Sequence, residues 1–286
     1  MGIKDDTVEI AKSIVGDRLL VFSSEDRPSF RNFGIEAANW IGASWICTLD
    51  TDERIPLEGV DIKNVLSQVD GDVVLVWHKS GAYRKERFFR GGIKDPFVGN
   101  IHEYVPPDKF KVWTIKGENV WFDELEKSPE EARAKAESAL PLLQEWVDKE
   151  PENPRWWHLL GDSLAGVKRY EEAVEAFIHC ATLKGREEAG WACFRAATIM
   201  MALGRREEAM CTAAAGLGRY PAMPELAWVA GEAAMSLGEP AMAMAWAKMA
   251  LVNKDVPIER SWYAFPFGME QGPLQLLARA TAALSL

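Results

Sequence analysis

The spacing of apolar and polar residues changes character near residue 126, which divides the chain into residues 1–125 and 126–286. In the first part, helix-spaced runs alternate with runs that read as strands. DDTVEIAKSIVG, SFRNFGIEAANWIG and GVDIKNVLSQV return apolar residues every three or four positions and predict helices. LLVFSS, SWICTLDTDE, DVVLVWHKS, RKERFFRG and FKVWTIKG are short, largely β-branched or aromatic runs and predict strands. Such alternation implies an α/β layer around a mainly parallel sheet, with ligands expected at the carboxyl ends of strands. In the second part the pattern is helical throughout.

Three windows of that second part align by their small residues. They begin at Asn153, Gly190 and Pro224 and place an alanine at Ala173, Ala209 and Ala243, steps of 36 and 34 residues. Gly204 and Gly238, again 34 apart, mark turns between helices. Small residues (Gly161, Ala173, Ala209, Gly231, Ala243) let two helices approach closely, and larger ones fill the space to the next pair. With Trp157, Leu160, Gly161, Leu164 and Phe177 in register, the first window resembles the tetratricopeptide (TPR) repeat, which has a 34-residue period. An all-α TPR solenoid is therefore expected over residues 126–286, with EEARAKAESALPLLQEWVDKEP leading it and GPLQLLARATAALSL closing it. The last face of that closing helix stays apolar, which implies a truncated array or a further contact. The many methionines fall at helical spacing among small residues and are expected to fill core. Trp156 and Tyr220 lie outside the packing pattern and are candidate groove contacts.

Composition narrows the function classes. The 286-residue chain carries a formal charge of −10, which excludes a broad phosphate-binding surface, so nucleic acid is not an expected partner. Cys47, Cys180, Cys193 and Cys211 have no CxxC spacing and sit among apolar residues, as reduced, buried thiols of a cytoplasmic protein would. No apolar run approaches membrane-span length, and MGIKDDT reads neither as a signal peptide nor as a myristoylation site.

The chemistry concentrates at Asp50-Thr51-Asp52-Glu53, where an apolar strand stops. Two carboxylates at i and i+2 can share a divalent cation with a diphosphate; equally, they can form an acidic turn after a strand. The surrounding stretch SFRNFGIEAANWIGASWICTLDTDERI resembles the family-2 glycosyltransferases of the GT-A fold, with Arg31, Asn32, Trp45, Leu49, Asp50, Asp52 and Glu53 in place. KDDTVEIAKS upstream puts Asp6 and Thr7 on that family's early segment. RFFRGGIKDPFVGNIHEYV downstream does the same for Arg87, Arg90, Gly99, His102 and Glu103.

The resemblance implies a GT-A-like first domain that transfers a sugar from a nucleotide-sugar donor to a protein or glycan acceptor held by the repeats. Asp52 would hold Mn²⁺ or Mg²⁺ on the diphosphate, with Asp50 on the ribose or in the metal shell. Arg31, Asp6, Arg87 and Arg90 would support the nucleotide. His102 and Glu103 would lie near the transferred sugar, Glu103 as general base. Lys116 stands where the family has a late histidine and would neutralise the diphosphate directly. The chain begins where the family already has its first strand, helix and second strand. A preceding polypeptide or self-association is therefore expected to complete the sheet. Two further readings stay open: a degenerate transferase domain kept as an interaction scaffold, and a hydrolase or nucleotidyl enzyme using the same acids.

Overall fold

The computed structural model describes residues 6–16, 19, 21, 27–99, 103–106, 108–115, 120–183, 187–253 and 265–285. Contacts divide the chain into two compact units. One comprises Met1–Thr51, Pro56–Val76 and Glu86–Val120; the other comprises Asp52–Ile55, Trp77–Lys85 and Trp121–Leu286. Ahead of the repeats come α1 (Thr7–Val15), α2 (Arg27–Trp40), β1 (Trp45–Cys47), β2 (Glu53–Arg54), α3 (Ile62–Ser67), β3 (Val73–His78), β4 (Arg84–Arg90), β5 (Val112–Thr114) and β6 (Trp121–Glu124). The three predicted helices form. Most of the LLVFSS strand lies outside the described residues.

In the first unit β1 pairs antiparallel with β4, Ile46 opposite Phe89, and β3 pairs parallel with β5, Val74 opposite Trp113. Ile35 from α2 packs with Ile46, Val73, Phe89, Ile93, Phe97 and Val105 into that unit's core. In the second unit β6 runs parallel to the end of β3 and antiparallel to β2. The strand pairing is thus mixed rather than mainly parallel. The reason is the short link between β3 and β4. A parallel crossover needs a dozen or more residues, whereas this link closes as a hairpin with the His78 N–H donating to Tyr83 O at 2.8 Å. His78 also builds the turn, its Nδ1 accepting the Ser80 N–H at 3.2 Å. The run SWICTLDTDE, expected as one strand, breaks into β1 and β2 because the chain turns at Asp50–Asp52.

The helical region begins at α4 (Pro129–Lys149). Its start is fixed by a capping box: Ser128 Oγ accepts the Glu131 N–H at 3.2 Å, and Glu131 Oε2 accepts the Ser128 N–H at 2.8 Å. Three hairpins follow: α5 (Pro154–Gly166) with α6 (Tyr170–Thr182), α7 (Glu187–Ala202) with α8 (Arg206–Arg219), and α9 (Pro224–Ser236) with α10 (Pro240–Asn253). After them, α11 (Gly272–Leu284) closes the stack. Each helix packs on the next, and α7 also touches α5 and α9, so the leading helices of the hairpins share one face. This is a TPR-like helical solenoid.

Its packing follows the small residues. Ala173, Ala209 and Ala243 have no exposed surface. A Cβ on Gly161 would fall 2.7 Å from the Phe177 ring, and one on Gly231 would fall 2.5 Å from Leu276. Leu276 and Ala280 of α11 close a core with Ala234, Ala243 and Ala247, while Leu274 and Leu284 keep its outer face half exposed.

Some sequence expectations need correction. Met200 is buried and Met235 and Met244 pack on the last core, but Met242 and Met249 are exposed. None of the four cysteines is in a disulfide, yet only Cys180 and Cys193 are buried; Cys47 on β1 and Cys211 on α8 are exposed. Burial pushes the Cys180 and Cys193 thiols up from their ordinary value, which keeps them protonated and inert. No helix of the described residues is long and apolar enough to cross a membrane.

Candidate functional site

In the first unit, α2 and the chain beyond β1 bring three of the sequence-predicted residues together. Arg31 Nη2 donates to Asp50 Oδ1 at 2.7 Å, and Arg31 Nε lies 3.9 Å from Glu103 Oε2. The Arg31 guanidinium also covers the Phe97 ring at 5.4 Å from its centre. Asn32 fixes that ring's backbone from the next position. Its Nδ2 donates to Phe97 O and its Oδ1 accepts the Phe97 N–H, both at 3.0 Å. Two turns further along α2, Asn39 makes a similar two-way clamp on the Ile93 carbonyl (2.8 Å) and the Gly92 N–H (2.7 Å). A carboxylate, a guanidinium and a second carboxylate thus share one place, and Asn32 holds the segment whose Phe97 ring lies under the guanidinium.

The other predicted residues do other things. Arg90 donates to Gly71 O at 2.9 Å and to Val69 O at 2.8 Å, and its guanidinium lies over Trp45 at 4.6 Å. It ties the segment before β3 to β1. Arg87 is buried and donates to Glu86 O at 2.8 Å. Asp6 is exposed and starts α1, its carbonyl accepting the Ile10 N–H at 2.9 Å. His102 and Lys116 lie outside the described residues.

Asp52 belongs to the second compact unit, where Lys127 Nζ reaches its carboxylate at 2.8 Å. The hydrogen bond from that ammonium holds the Asp52 carboxyl below its ordinary value. Glu53 and Glu124 both face Lys85, Glu53 at 2.9 Å. Asp123 receives Lys79 at 2.7 Å and Arg54 at 3.0 Å, and Lys79 leads in holding its carboxyl low. The DTDE acids are therefore answered by the chain's own cations. Among the described residues no three His, Cys, Asp or Glu side chains gather as a metal-ligand set. Arg31 and Lys127 already occupy Asp50 and Asp52, so the donor set for the implied Mn²⁺ or Mg²⁺ does not fit these residues as they stand.

The leading-helix face of the repeats is a second candidate. The steps that align Ala173, Ala209 and Ala243 also carry His158 onto Phe194 and Trp228, Asp162 onto Thr198 and Glu232, and Arg155 onto Trp191 and Glu225. These columns were legible in the sequence once the repeat was aligned, and they run along α5, α7 and α9. Asp162 receives Arg195 of α7 at 2.9 Å and stands 3.3 Å from His158 Nε2. Burial pushes the Asp162 carboxyl up, but His158 and Arg195 outweigh it, and the net shift is downward. Glu232 accepts the Trp228 indole N–H at 3.2 Å and pairs with Arg279 of α11. The two aromatic residues proposed for a groove are packing residues instead. Trp156 is buried, stacked 5.0 Å from Trp146, with its indole N–H donated to Glu150 at 2.7 Å. Tyr220 lies where a side chain on Gly190 would stand, against α7.

No family model matches the chain, and no curated protein does. Solved structures give similarity over part of it. MamA from Desulfovibrio magneticus RS-1 is 18% identical, with 54% of this chain and 84% of that chain covered, at a TM-score of 0.38. PcrH from Pseudomonas aeruginosa is 18% identical over 46% of this chain and 89% of its own, at 0.35. PcrH in complex with the chaperone binding region of PopB gives the same identity and TM-score, with 93% of that chain covered.

Proposed function

We propose that this chain is a protein-interaction scaffold, which holds a polypeptide partner on the leading-helix face of its repeats. In this reading the amino-terminal unit is a degenerate transferase-like domain. The observation that carries the reading is the set of polar and aromatic columns on α5, α7 and α9. Thr198 is exposed there, its hydroxyl donating to the Phe194 carbonyl at 2.8 Å, and Arg195 of the same helix pairs with Asp162 of α5. Stacked hairpins present an extended surface of this kind, larger than a small ligand needs. A photo-cross-linking residue at Thr198 should capture one discrete polypeptide in lysate of the cells that make the protein. The same residue at Glu175, on the second helix of the first hairpin, should not, and Arg195→Glu should abolish the Thr198 product. Equal capture from both positions would remove the reading.

A second reading, sugar transfer, is supported by one observation: Arg31, Asp50 and Glu103 stand together as the resemblance implies. Calorimetry with UDP and GDP, with and without Mn²⁺ or Mg²⁺, tests it.

A further inference from the structure

Beyond α10 the described residues resume at Phe265, and the segment Phe265–Pro266–Phe267 lies across the leading helices of the second and third hairpins. The Phe265 ring is 5.7 Å from Phe194 of α7 and 5.7 Å from Trp228 of α9, stacked on the latter at 29°. Its backbone N–H donates to Oε1 of Glu225, a side chain with no exposed surface, at 3.3 Å. Phe267 meets Trp228 edge-on at 5.6 Å. Two glycines let the following π-helical turn lie flat against the same ring. A Cβ on Gly268 would fall 3.0 Å from Trp228, and one on Gly272 would fall 2.7 Å from its indole nitrogen.

These are the parts by which a repeat face grips an extended peptide: an aromatic slot, a buried acceptor for one main-chain N–H, and a flanking aromatic anchor. Pro266 suits such a ligand, because it has no N–H to satisfy and its fixed φ lowers the entropy lost on docking. The fit is incomplete, however. Phe265 and Phe267 keep 38% and 37% of their surface exposed, unlike the alanines and leucines of the hairpin cores. A half-exposed segment resting on a preformed seat belongs to the low-stability end of a structure, the end that opens first.

We propose that Phe194, Trp228 and Glu225 form a peptide-binding subsite. Its resting occupant is the chain's own Phe265–Pro266–Phe267, and a partner segment of the same chemistry, aromatic–proline–aromatic, exchanges with it. The inference rests on the scaffold reading and adds to it the class of ligand and a threshold. An occupant tethered in the same chain acts at a high effective concentration, so only a partner with further contacts on the repeat face displaces it.

The probe is the acetylated peptide FPFGMEQ, residues 265–271, whose acetyl group restores the amide that Phe265 has in the chain. It is titrated by calorimetry into the full chain, the full-length double variant Phe265→Ala/Phe267→Ala, and that variant with Trp228→Ala added. The double variant is expected to bind at least about 10-fold more tightly than the native chain, because its tethered competitor is weakened. Adding Trp228→Ala should abolish binding, and a peptide with both phenylalanines changed to alanine should bind none of the three. If the double variant fails to fold by circular dichroism, Phe265→Leu keeps apolar volume without the stacked ring and takes its place. Equal affinity for native and altered chains, or no binding by any folded variant, overturns the proposal. Cross-linking from Thr198 separates the two ideas. If it persists in a folded variant that binds no peptide, the scaffold reading stands and the subsite falls.

Discussion

Lys168 holds in the first hairpin the backbone position that Gly204 holds in the second, with φ of 66° and 79°. Gly238 repeats it in the third hairpin at 81°. In all three the N–H donates to the carbonyl three residues back: Ala165 at 3.0 Å, Met201 at 3.1 Å and Met235 at 3.2 Å. The geometry of the turn is thus preserved where the glycine is not. A left-handed conformation strains a residue that carries a Cβ by roughly 1–2 kcal/mol.

Lys168→Gly is therefore expected to stabilise the protein. Relief of that strain is offset by the greater freedom of glycine in the unfolded chain, about 0.5–1 kcal/mol. The net gain should be on the order of 0.5–1 kcal/mol, read as a higher urea midpoint with unchanged slope. Lys168→Ala, which keeps the Cβ, should gain nothing. A loss of stability in the glycine variant would mean that the lysine side chain holds the turn.

Acid should weaken the second unit through Asp52 and Asp123. Lys127 leads in holding Asp52 low, and Lys79, helped by Arg54, holds Asp123 low. A carboxyl depressed in the folded protein binds fewer protons there than in the unfolded chain, so its contribution is complete above the unfolded value, near 3.8. It is lost as pH falls through the folded value. Stability should be level from neutrality to about pH 5 and fall below about pH 4. Lys127→Met should flatten that fall by removing the Asp52 part of it. An unchanged acid slope in this variant would show that the pair adds nothing.

Different parts of this structure were legible in the sequence to different degrees, for physical reasons. The hairpins were legible because each repeat must bury the same face, so Ala173, Ala209 and Ala243 recur at near-equal steps. The motif order singled out Arg31, Asp50 and Glu103 but not the ion pairs between them, which join positions far apart in sequence. Strand direction was not legible, since a run such as DVVLVWHKS carries no record of its partner. It was the short link with its His78–Tyr83 bond that decided for a hairpin. Strand β6 was missed because WFDE is only four residues long and places its acids beside lysines distant in sequence. The Phe265 seat was missed because its parts come from two helices, α7 and α9, that only the stacked fold brings together.

The two acids of the DTD sequence offer the sharpest test between the two functional readings. Asp50 is answered by Arg31 and Asp52 by Lys127, in different compact units. If these are structural ion pairs, Asp50→Asn and Asp52→Asn should each remove a part-exposed pair, worth about 0–1 kcal/mol. Pairs that act independently add, so on this reading the double variant should equal the sum within about 0.5 kcal/mol. None of the proteins should bind UDP or GDP, and cross-linking from Thr198 should survive both substitutions. Sugar transfer requires a different pattern, because both carboxylates would then serve a single diphosphate. The native chain would bind a nucleoside diphosphate with Mn²⁺ or Mg²⁺. Either single substitution would lower turnover by roughly 10²–10³, and the double would be little worse than one. Urea denaturation and calorimetry on the native chain and these three variants therefore separate the readings by the form of the coupling as well as by the presence of activity. Small, additive losses of stability without nucleotide binding belong to the scaffold. Nucleotide binding that disappears with either acid belongs to the transferase.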